Sequence, residues 1–404
     1  SPRWQGKCPD CGEWNSLEQK KITKSHNQNL PKNFQHSTVQ LSELSQAEVK
    51  RISSEIKEFD EVLGGGIVPG SLVLLGGDPG IGKSTLILQS AIKLINKGIK
   101  VLYVAGEESP RQIKLRANRL TDKADLLVLA ETNLETILEG LLAATPEIVI
   151  IDSIQTIYSD QVNGVTGGVS QLSYAVNQLM KVAKNNHIAM FLIGHVTKEG
   201  LMAGPKTVEH MVDTVLYLEG DRFGSLRLLR SSKNRFGSVG EIGLFDMTET
   251  GLVEVANPST LFLEQREKPV VGSCTTAIIE GNKILLVEIQ ALTSRSSFGY
   301  PKRTASGFDL NRLQLIIAIL QKCLKIDLSN EDVYINVTGG FKIEERAADL
   351  PVALAIISSF KNKPLLNNLI AFGELGLLGE IRSVNQVEKR LKECDKLGFE
   401  NILV

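Results

Sequence analysis

The sequence lacks three features that would assign a protein to a class at once. No uninterrupted apolar run approaches ~18 residues, so we predict no membrane-spanning segment. The formal net charge is only −1, so contact with nucleic acid would have to come from local basic patches. There are five cysteines, namely Cys8, Cys11, Cys274, Cys323 and Cys394. Such a small, scattered and odd-numbered set argues against a disulfide framework and predicts a reducing compartment, the cytoplasm.

Residues 1–20 lack both an initiator methionine and a signal-peptide pattern, which suggests a trimmed chain. They contain Cys8-Pro-Asp-Cys11, which is one C-x-x-C knuckle of a zinc ribbon, but the sequence has no second C-x-x-C or C-x-x-H. A partial zinc ribbon and an unmetallated pair in a disordered arm therefore both remain open. Residues 21–50 are rich in Lys, Gln, Ser and Asn and are predicted to form a linker.

The strongest pattern present is a complete phosphate-binding loop, G-x-x-x-x-G-K-[ST], over residues 77–84. A predicted buried strand over 71–76 precedes it, and a predicted helix from Thr85 to Asn96 follows. The N–H groups of the loop and of the helix start can bind phosphates. In this motif the lysine reaches the β- and γ-phosphates and the hydroxyl binds Mg²⁺. We predict binding of ATP or ADP with Mg²⁺ through Gly77, Asp78, Pro79, Gly80, Ile81, Gly82, Lys83 and Ser84.

The length of 404 residues exceeds what one core normally serves, so we expect several domains. Residues 51–256 alternate strand-like and helix-like stretches, which predicts an α/β domain with a parallel sheet and an antiparallel extension at its edge. Residues 257–404 combine a strand pair around Gly281 with further helices and strands. They are predicted to form an α+β domain, which is the third domain of the chain, after the partial zinc ribbon (the first) and the α/β domain (the second).

Polar residues follow three of the predicted buried strands. Asp152 can hold Mg²⁺ in the Walker B role, although a strand-ending aspartate in a turn is the alternative. Glu107 or Glu108 can orient the attacking water, with Glu107 favoured, although both could simply be solvated carboxylates at a helix start. His195 could sense the γ-phosphate, although a lone histidine at a strand end is more often structural.

Two glycine-rich loops and one basic string are candidates for contact with DNA or a neighbouring subunit. The glycine-rich loops 158–170 and 198–208 suit tracking of a DNA backbone, the second through Lys198 and Lys206, although both could be ordinary surface loops. The string 233–237 is K-N-R-F-G, and its Lys233 and Arg235 are predicted to share one face of a strand. Held at a subunit boundary they could reach a neighbour's γ-phosphate, and the alternative is a solvated basic turn.

A cluster in the third domain is the last basic candidate. It consists of Arg295, Lys302, Arg303 and Arg312, and hydroxyls at Ser294, Ser296, Ser297 and Thr304 accompany it. We predict duplex contact there, above all through Lys302 and Arg303, with a solvated loop as the equal alternative.

Six strings together closely resemble the bacterial RadA family (also called Sms) of DNA repair and recombination ATPases. They are residues 63–71, 77–85, 106–109, 151–156, 194–200 and 233–237. The resemblance runs the length of the chain. It implies a RecA-like P-loop ATPase core that assembles as a homohexameric ring, related to helicases of the DnaB type. It also implies branch migration on single-stranded and branched DNA during recombination with RecA, and no membrane.

The same resemblance implies roles for individual residues. Lys83, Ser84 and Thr85 bind nucleotide and Mg²⁺, Glu107 activates water, Asp152 is the Walker B residue, His195 is a sensor, and Lys233 and Arg235 act in trans. RadA-like proteins open with a four-cysteine zinc ribbon. Cys8 and Cys11 resemble its second pair, so Zn²⁺ is implied for the intact protein while half of the site is absent from this chain.

The third domain resembles the proteolytic domain of Lon, whose dyad needs a serine activated by a lysine. Alignment places Ala347 at the serine and Glu388, or with a slip of one Lys389, at the lysine. We therefore predict an inactive scaffold. The function predicted overall is an ATP-dependent DNA motor. Its alternatives are a filament-forming strand-exchange ATPase, an ATP-gated adaptor that does not translocate, and a Lon-type peptidase, which Ala347 disfavours.

Overall fold

The structure is a computed structural model that describes residues 50–121, 124–194, 204–220, 225–255, 270–297, 299–340 and 342–404. The predicted zinc ribbon and residues 21–49 of the predicted linker lie outside the described residues, as do His195 and Lys198. In the part of the chain that the structure describes, no helix is long and apolar enough to cross a membrane.

The second domain, the α/β domain, is built on a nine-stranded sheet with the order β3-β2-β4-β5-β1-β6-β7-β8-β9. Its strands are β1 (Leu72–Gly76), β2 (Val101–Ala105), β3 (Leu127–Leu129), β4 (Ile148–Asp152), β5 (Ala189–Ile193), β6 (Thr214–Gly220), β7 (Leu226–Asn234), β8 (Ile242–Thr248) and β9 (Gly251–Glu254). Strands β3 to β6 in this order pair in parallel, whereas β6, β7, β8 and β9 pair antiparallel. The predicted parallel sheet with an antiparallel extension is confirmed.

Helices connect these strands and cover the sheet on both sides. They are α1 (Lys57–Val62), α2 (Lys83–Asn96), α3 (Pro110–Leu120), α4 (Leu134–Ala144), α5 (Val169–Asn186) and α6 (Gly204–Met211). Every residue of β1, β2, β4 and β5 is buried, as expected for strands covered on both faces. Alternate residues of one strand enter different cores: Val73 and Leu75 join one, Leu72 and Leu74 the other.

The third domain has a six-stranded sheet with the order β12-β13-β11-β10-β14-β17 and a separate pair β15-β16. Its strands are β10 (Ser273–Glu280), β11 (Lys283–Arg295), β12 (Arg303–Ser306), β13 (Glu331–Val337), β14 (Leu369–Ala371), β15 (Glu374–Leu375), β16 (Ile381–Arg382) and β17 (Asn401–Leu403). Its helices are α7 (Leu310–Leu324), α8 (Asp349–Lys361) and α9 (Val387–Lys396). The predicted strand pair around Gly281 is the β10-β11 hairpin.

The two domains share a hydrophobic core. Leu228 and Leu244, from β7 and β8 of the second domain, belong to the same cluster as Ile278 and Leu285 of the β10-β11 hairpin. Ion pairs flank it: Lys283 Nζ lies 2.6 Å from Glu58 Oε2. The third domain is therefore packed directly on the antiparallel strands of the second domain.

Candidate nucleotide-binding site

The phosphate loop joins the end of β1 to the start of α2, which begins at Lys83. Gly77 has φ of 145°, and a Cβ there would lie 2.4 Å from the carbonyl oxygen of Leu218. Only glycine fits this backbone beside β6. The first turn of α2 directs its N–H groups toward the loop, as phosphate binding at a helix N-terminus requires. Pro79 and Gly80 are exposed, so the loop opens to solvent.

Lys83 is only 4% exposed although it carries a charge. Its Nζ donates to the carbonyl oxygens of Gly77 at 2.8 Å and of Asp78 at 3.0 Å. Burial lowers the pKa of Lys83, and the carboxylates of Asp152, Glu107 and Asp78 oppose that shift. The ammonium therefore lies within electrostatic reach of both carboxylates that the sequence placed at strand ends.

Asp152 ends β4 and is 8% exposed. The hydroxyl of Tyr103 on β2 donates to its Oδ2 at 2.5 Å. Asp152 pairs with Ala105 in the β2-β4 register, and Tyr103 lies two residues before Ala105 on the same face of the sheet. Sequence reasoning missed Tyr103. The available signal was a single hydroxyl within an apolar strand, two residues from the end that faces the phosphate loop.

Glu107, which the sequence favoured, and Glu108 have different partners. Ser153 Oγ donates to Glu107 Oε1, beside the end of β4. Glu108 instead pairs with Arg116 on α3. The structure thus leaves Glu107 on the side of Asp152 and ties Glu108 to a helix, which favours Glu107 as the carboxylate that orients water.

The acceptors at this edge suit Mg²⁺. Asp152 supplies a buried carboxylate, and Ser84 supplies a hydroxyl at the start of α2. Mg²⁺ takes hard oxygen ligands, and it is commonly held by one or two protein groups together with phosphate oxygens. Among the described residues no group of three or more His, Cys, Asp and Glu could hold a metal ion. A site completed by nucleotide phosphates fits these residues better than an all-protein cage.

The K-N-R-F-G string is arranged differently from the prediction. Strand β7 ends at Asn234, so Lys233 and Arg235 do not share a strand face, and that expectation was wrong. Lys233 Nζ donates to the carbonyl oxygens at the end of α6, those of Glu209 (2.9 Å), His210 (3.1 Å) and Val212 (2.8 Å). Arg235 lies beyond the strand, and its side chain is 54% exposed and 3.4 Å from Asp213.

Arg51 holds the segment that carries Arg235. Its Nη2 donates to the carbonyl oxygen of Phe236 at 2.6 Å, and its Nη1 donates to that of Gly64. Gly64 and Gly237 are in contact, since a Cβ on Gly237 would lie 2.9 Å from Gly64 Cα. Two strings of the resemblance that are far apart in sequence therefore meet at Arg51, which sequence reasoning did not single out.

Of the two loops predicted to contact DNA, the structure describes all of the first and only part of the second. Loop 158–170 follows β4. Near its start, the Gln171 side chain accepts a hydrogen bond from the Ser159 N–H at 2.8 Å and donates one to the Ser159 carbonyl oxygen at 3.1 Å. Beyond this anchor Val165 is 78% exposed. In the second loop Lys198 lies outside the described residues, and Lys206 falls in α6 with a side chain that is also outside them.

In the third domain, an ion pair with a buried arginine adjoins the position aligned with the Lon serine. Ala347 is 2% exposed and packs in a cluster with Ala277 and Phe372. Arg390 is fully buried, donates to the Ala277 carbonyl and lies 2.6 Å from Glu345 Oε2. Both residues aligned with the Lon lysine, Glu388 and Lys389, are exposed.

The basic cluster of the third domain is divided in the structure. The Arg303 guanidinium donates to the carbonyl oxygens of Glu331 and of Leu328, the latter at 2.7 Å. Arg312 forms a two-point pair with the buried Asp349. Arg295 and Lys302 are exposed. Arg303 and Arg312 therefore make contacts within their own domain. Arg295 and Lys302 are the two cations of the cluster that remain candidates for contact with DNA.

Three family models match the chain. Residues 38–201 match the AAA domain, 306–404 match subunit ChlI of Mg-chelatase, and 1–19 match the rubredoxin metal binding domain. Among curated proteins, the DNA repair protein RadA of Bacillus subtilis (strain 168) is 48% identical over 411 residues, which span 100% of this chain and 90% of that protein. The protein of the same name from Listeria monocytogenes is 48% identical over 414 residues, with 100% and 89% covered.

Two solved structures resemble about half of the chain. The RadB recombinase is 23% identical with a TM-score of 0.40, covering 50% of this chain and 99% of that one. A KaiC-like protein from Pyrococcus horikoshii is 21% identical with a TM-score of 0.42, covering 51% and 99%. Both TM-scores are below 0.5, and nothing about function follows from them.

Proposed function

This chain belongs to the bacterial RadA family of DNA repair proteins, and from that premise we propose that it is an ATP-dependent DNA motor acting in homologous recombination. It has the predicted RecA-like P-loop core and Lon-like third domain. One observation carries the proposal: Lys83, Asp152 and Glu107 converge at one edge of the sheet, beside the phosphate loop. This is the set of groups that ATP hydrolysis requires.

In the proposed reaction, Lys83 exchanges its loop carbonyls for the β- and γ-phosphates and offsets their charge. Glu107, held by Ser153, orients the attacking water and accepts its proton. Asp152 and Ser84 hold the Mg²⁺, which when bound neutralises charge on the phosphate oxygens. Thr85, in the first turn of α2, completes the nucleotide contacts.

A neighbouring subunit would complete the site. Arg235 is the more exposed cation of the K-N-R-F-G string, and we assign it the contact with the neighbour's γ-phosphate in a homohexameric ring. Lys233 was predicted to act in trans as well, but it would first have to leave three carbonyl oxygens of its own chain. His195, which follows β5, would report the γ-phosphate to loop 198–208.

DNA would pass along loops 158–170 and 198–208, with RecA as the partner during recombination. The match of residues 1–19 to a rubredoxin metal binding domain supports a role of Cys8 and Cys11 in binding Zn²⁺ in the intact protein. The third domain would be a scaffold without peptidase activity, because its Ala347 position carries only a methyl group.

The experiment is strand displacement and branch migration on forked DNA with ATP, with Lys83→Ala as the control that cannot hydrolyse. A motor displaces strands only with ATP and only with Lys83 present. DNA-stimulated hydrolysis without displacement would contradict the motor and support an ATP-gated adaptor. Strand exchange by open helical filaments, seen by electron microscopy, would support a recombinase instead.

A further inference from the structure

Tyr103 is a polar residue in the middle of a buried strand. It is 1% exposed, and the other residues of β2 (Val101–Ala105) are Val, Leu, Val and Ala. A phenylalanine would fill nearly the same volume without burying a hydroxyl. A buried hydroxyl is costly unless it is hydrogen-bonded, and tyrosine in a core therefore calls for a specific partner.

That partner is the carboxylate of Asp152, whose Oδ2 accepts from the tyrosine hydroxyl at 2.5 Å. Burial raises the pKa of Tyr103 well above its ordinary value, and the charge of Asp152 raises it further. The phenol is thus protonated at neutral pH and is the donor. With Oδ2 engaged in this way, Oδ1 is the oxygen that can accept from a metal-bound water.

An ion pair lies next to this hydrogen bond. Arg116 of α3 pairs with Glu108. Burial lowers the pKa of Arg116, but the carboxylates of Glu108 and Asp152 outweigh burial and raise it above the ordinary value. Its positive charge lies within electrostatic reach of Asp152. The carboxylate at the end of β4 therefore has a neutral hydrogen-bond donor, Tyr103, and a cation in its vicinity.

We propose that Tyr103 is a positioning residue for the divalent cation that accompanies the nucleotide: its hydroxyl fixes the orientation of the Asp152 carboxylate that holds this ion. The inference rests on the proposed role of Asp152 in holding Mg²⁺, and it is independent of whether the protein moves along DNA. Groups that orient metal ligands in this way typically change metal affinity by about 10- to 100-fold when they are removed.

The test compares Tyr103→Phe with the wild-type full-length chain, using Mn²⁺ as the probe. Bound Mn²⁺ is measured by electron paramagnetic resonance in the presence of ADP, and ADP binding is measured separately in EDTA. We expect the half-saturating Mn²⁺ concentration to rise about tenfold or more, with ADP binding in EDTA unchanged. The matched control is Tyr217→Phe, which removes another tyrosine hydroxyl that donates to a carboxylate, that of Glu209, at 2.5 Å.

Asp152→Asn and the double variant Tyr103→Phe/Asp152→Asn complete the design. If Tyr103 acts through Asp152, the double variant needs no more Mn²⁺ than Asp152→Asn alone, since residues in one network are not additive. An unchanged Mn²⁺ requirement in Tyr103→Phe, or an additive loss in the double variant, overturns the inference. If Asp152→Asn also leaves the requirement unchanged, the metal role of Asp152 in the proposed function fails with it.

Discussion

The two domains treat their charged groups in opposite ways at the places where a reaction could occur. In the second domain, Lys83 and Asp152 are buried beside a phosphate loop whose Pro79 and Gly80 are exposed, and Glu107 is exposed as well. In the third, Arg390 is fully buried and its charge is met by Glu345, beside a buried methyl group. Arg390 donates to Glu345 and to the Ala277 carbonyl oxygen, so its charge is directed at its own domain and not at a substrate. A charged residue therefore indicates a reactive site only when its partners and its surroundings leave room for a substrate to reach it.

Among the variants that test this comparison, we expect the largest effect, on ATP hydrolysis, from the removal of the Lys83 side chain. Lys83→Ala should reduce ATP hydrolysis by at least about 10²–10³-fold, because a preorganised charge facing the phosphates is removed. Steady-state hydrolysis measures it, and Lys97→Ala is a control at the other end of α2, where the lysine pairs with Glu55 at 3.4 Å. Normal turnover by Lys83→Ala would show that the loop is not the catalytic site.

The next effect is on stability. Arg390→Ala should destabilise the third domain by about 1.5–3 kcal/mol, because the part-buried Glu345 and the Ala277 carbonyl oxygen would lose their hydrogen-bond donor. The control is Arg346→Ala, since Arg346 is 66% exposed and pairs with Glu374, and this change should cost no more than about 1 kcal/mol. Urea denaturation followed by circular dichroism measures both. Equal unfolding midpoints for the two variants would mean that the Arg390–Glu345 pair stabilises this domain no more than an exposed pair does.

A serine restored at position 347 should not restore a peptidase. Ala347→Ser places a hydroxyl in the core beside Phe372, while Glu388 and Lys389 are exposed. We expect no hydrolysis of casein above the wild-type level, together with a loss of about 1–3 kcal/mol if the hydroxyl finds no partner. Casein hydrolysis that appears in Ala347→Ser would contradict the assignment of this domain as an inert scaffold.

The smallest predicted effect concerns DNA. Arg295→Ala/Lys302→Ala should lower duplex affinity and flatten its salt dependence by about one unit of slope for each phosphate that is no longer neutralised. Arg303→Ala should chiefly lower the unfolding midpoint, because Arg303 donates to carbonyl oxygens of its own domain. Salt titrations of fluorescent duplex binding separate the two. The reverse pattern would show that Arg303, as the sequence predicts, faces DNA.

The features that could be predicted from sequence depend on local order along the chain. The β1–loop–α2 unit, the strand end at Asp152 and the domain types follow from periodicity and motif spacing. The structure adds contacts between distant segments, such as Tyr103 with Asp152, Arg116 with Glu108 and Arg390 with Glu345. Spacing carries no signal for these pairs, because the folded arrangement of strands and helices decides which of them meet.

The error over Lys233 has a similar cause. Alternation along a strand places residues two apart on one face only while the strand continues, and β7 ends at Asn234 between Lys233 and Arg235. The end of α6 then offers carbonyl oxygens that Lys233 satisfies. Neither the strand end nor the neighbouring helix end can be read from the K-N-R-F-G string itself.

The central claim, that a site on one subunit is completed by the next, is tested most directly by mixing variants. Arg235→Ala subunits keep Glu107, and Glu107→Gln subunits keep Arg235, so a mixed boundary can contain both groups although each parent lacks one. Energy transfer between labelled subunits first establishes that they exchange. The account predicts that mixtures hydrolyse ATP faster than either parent. If subunits exchange and no mixture exceeds both parents, the claim is contradicted.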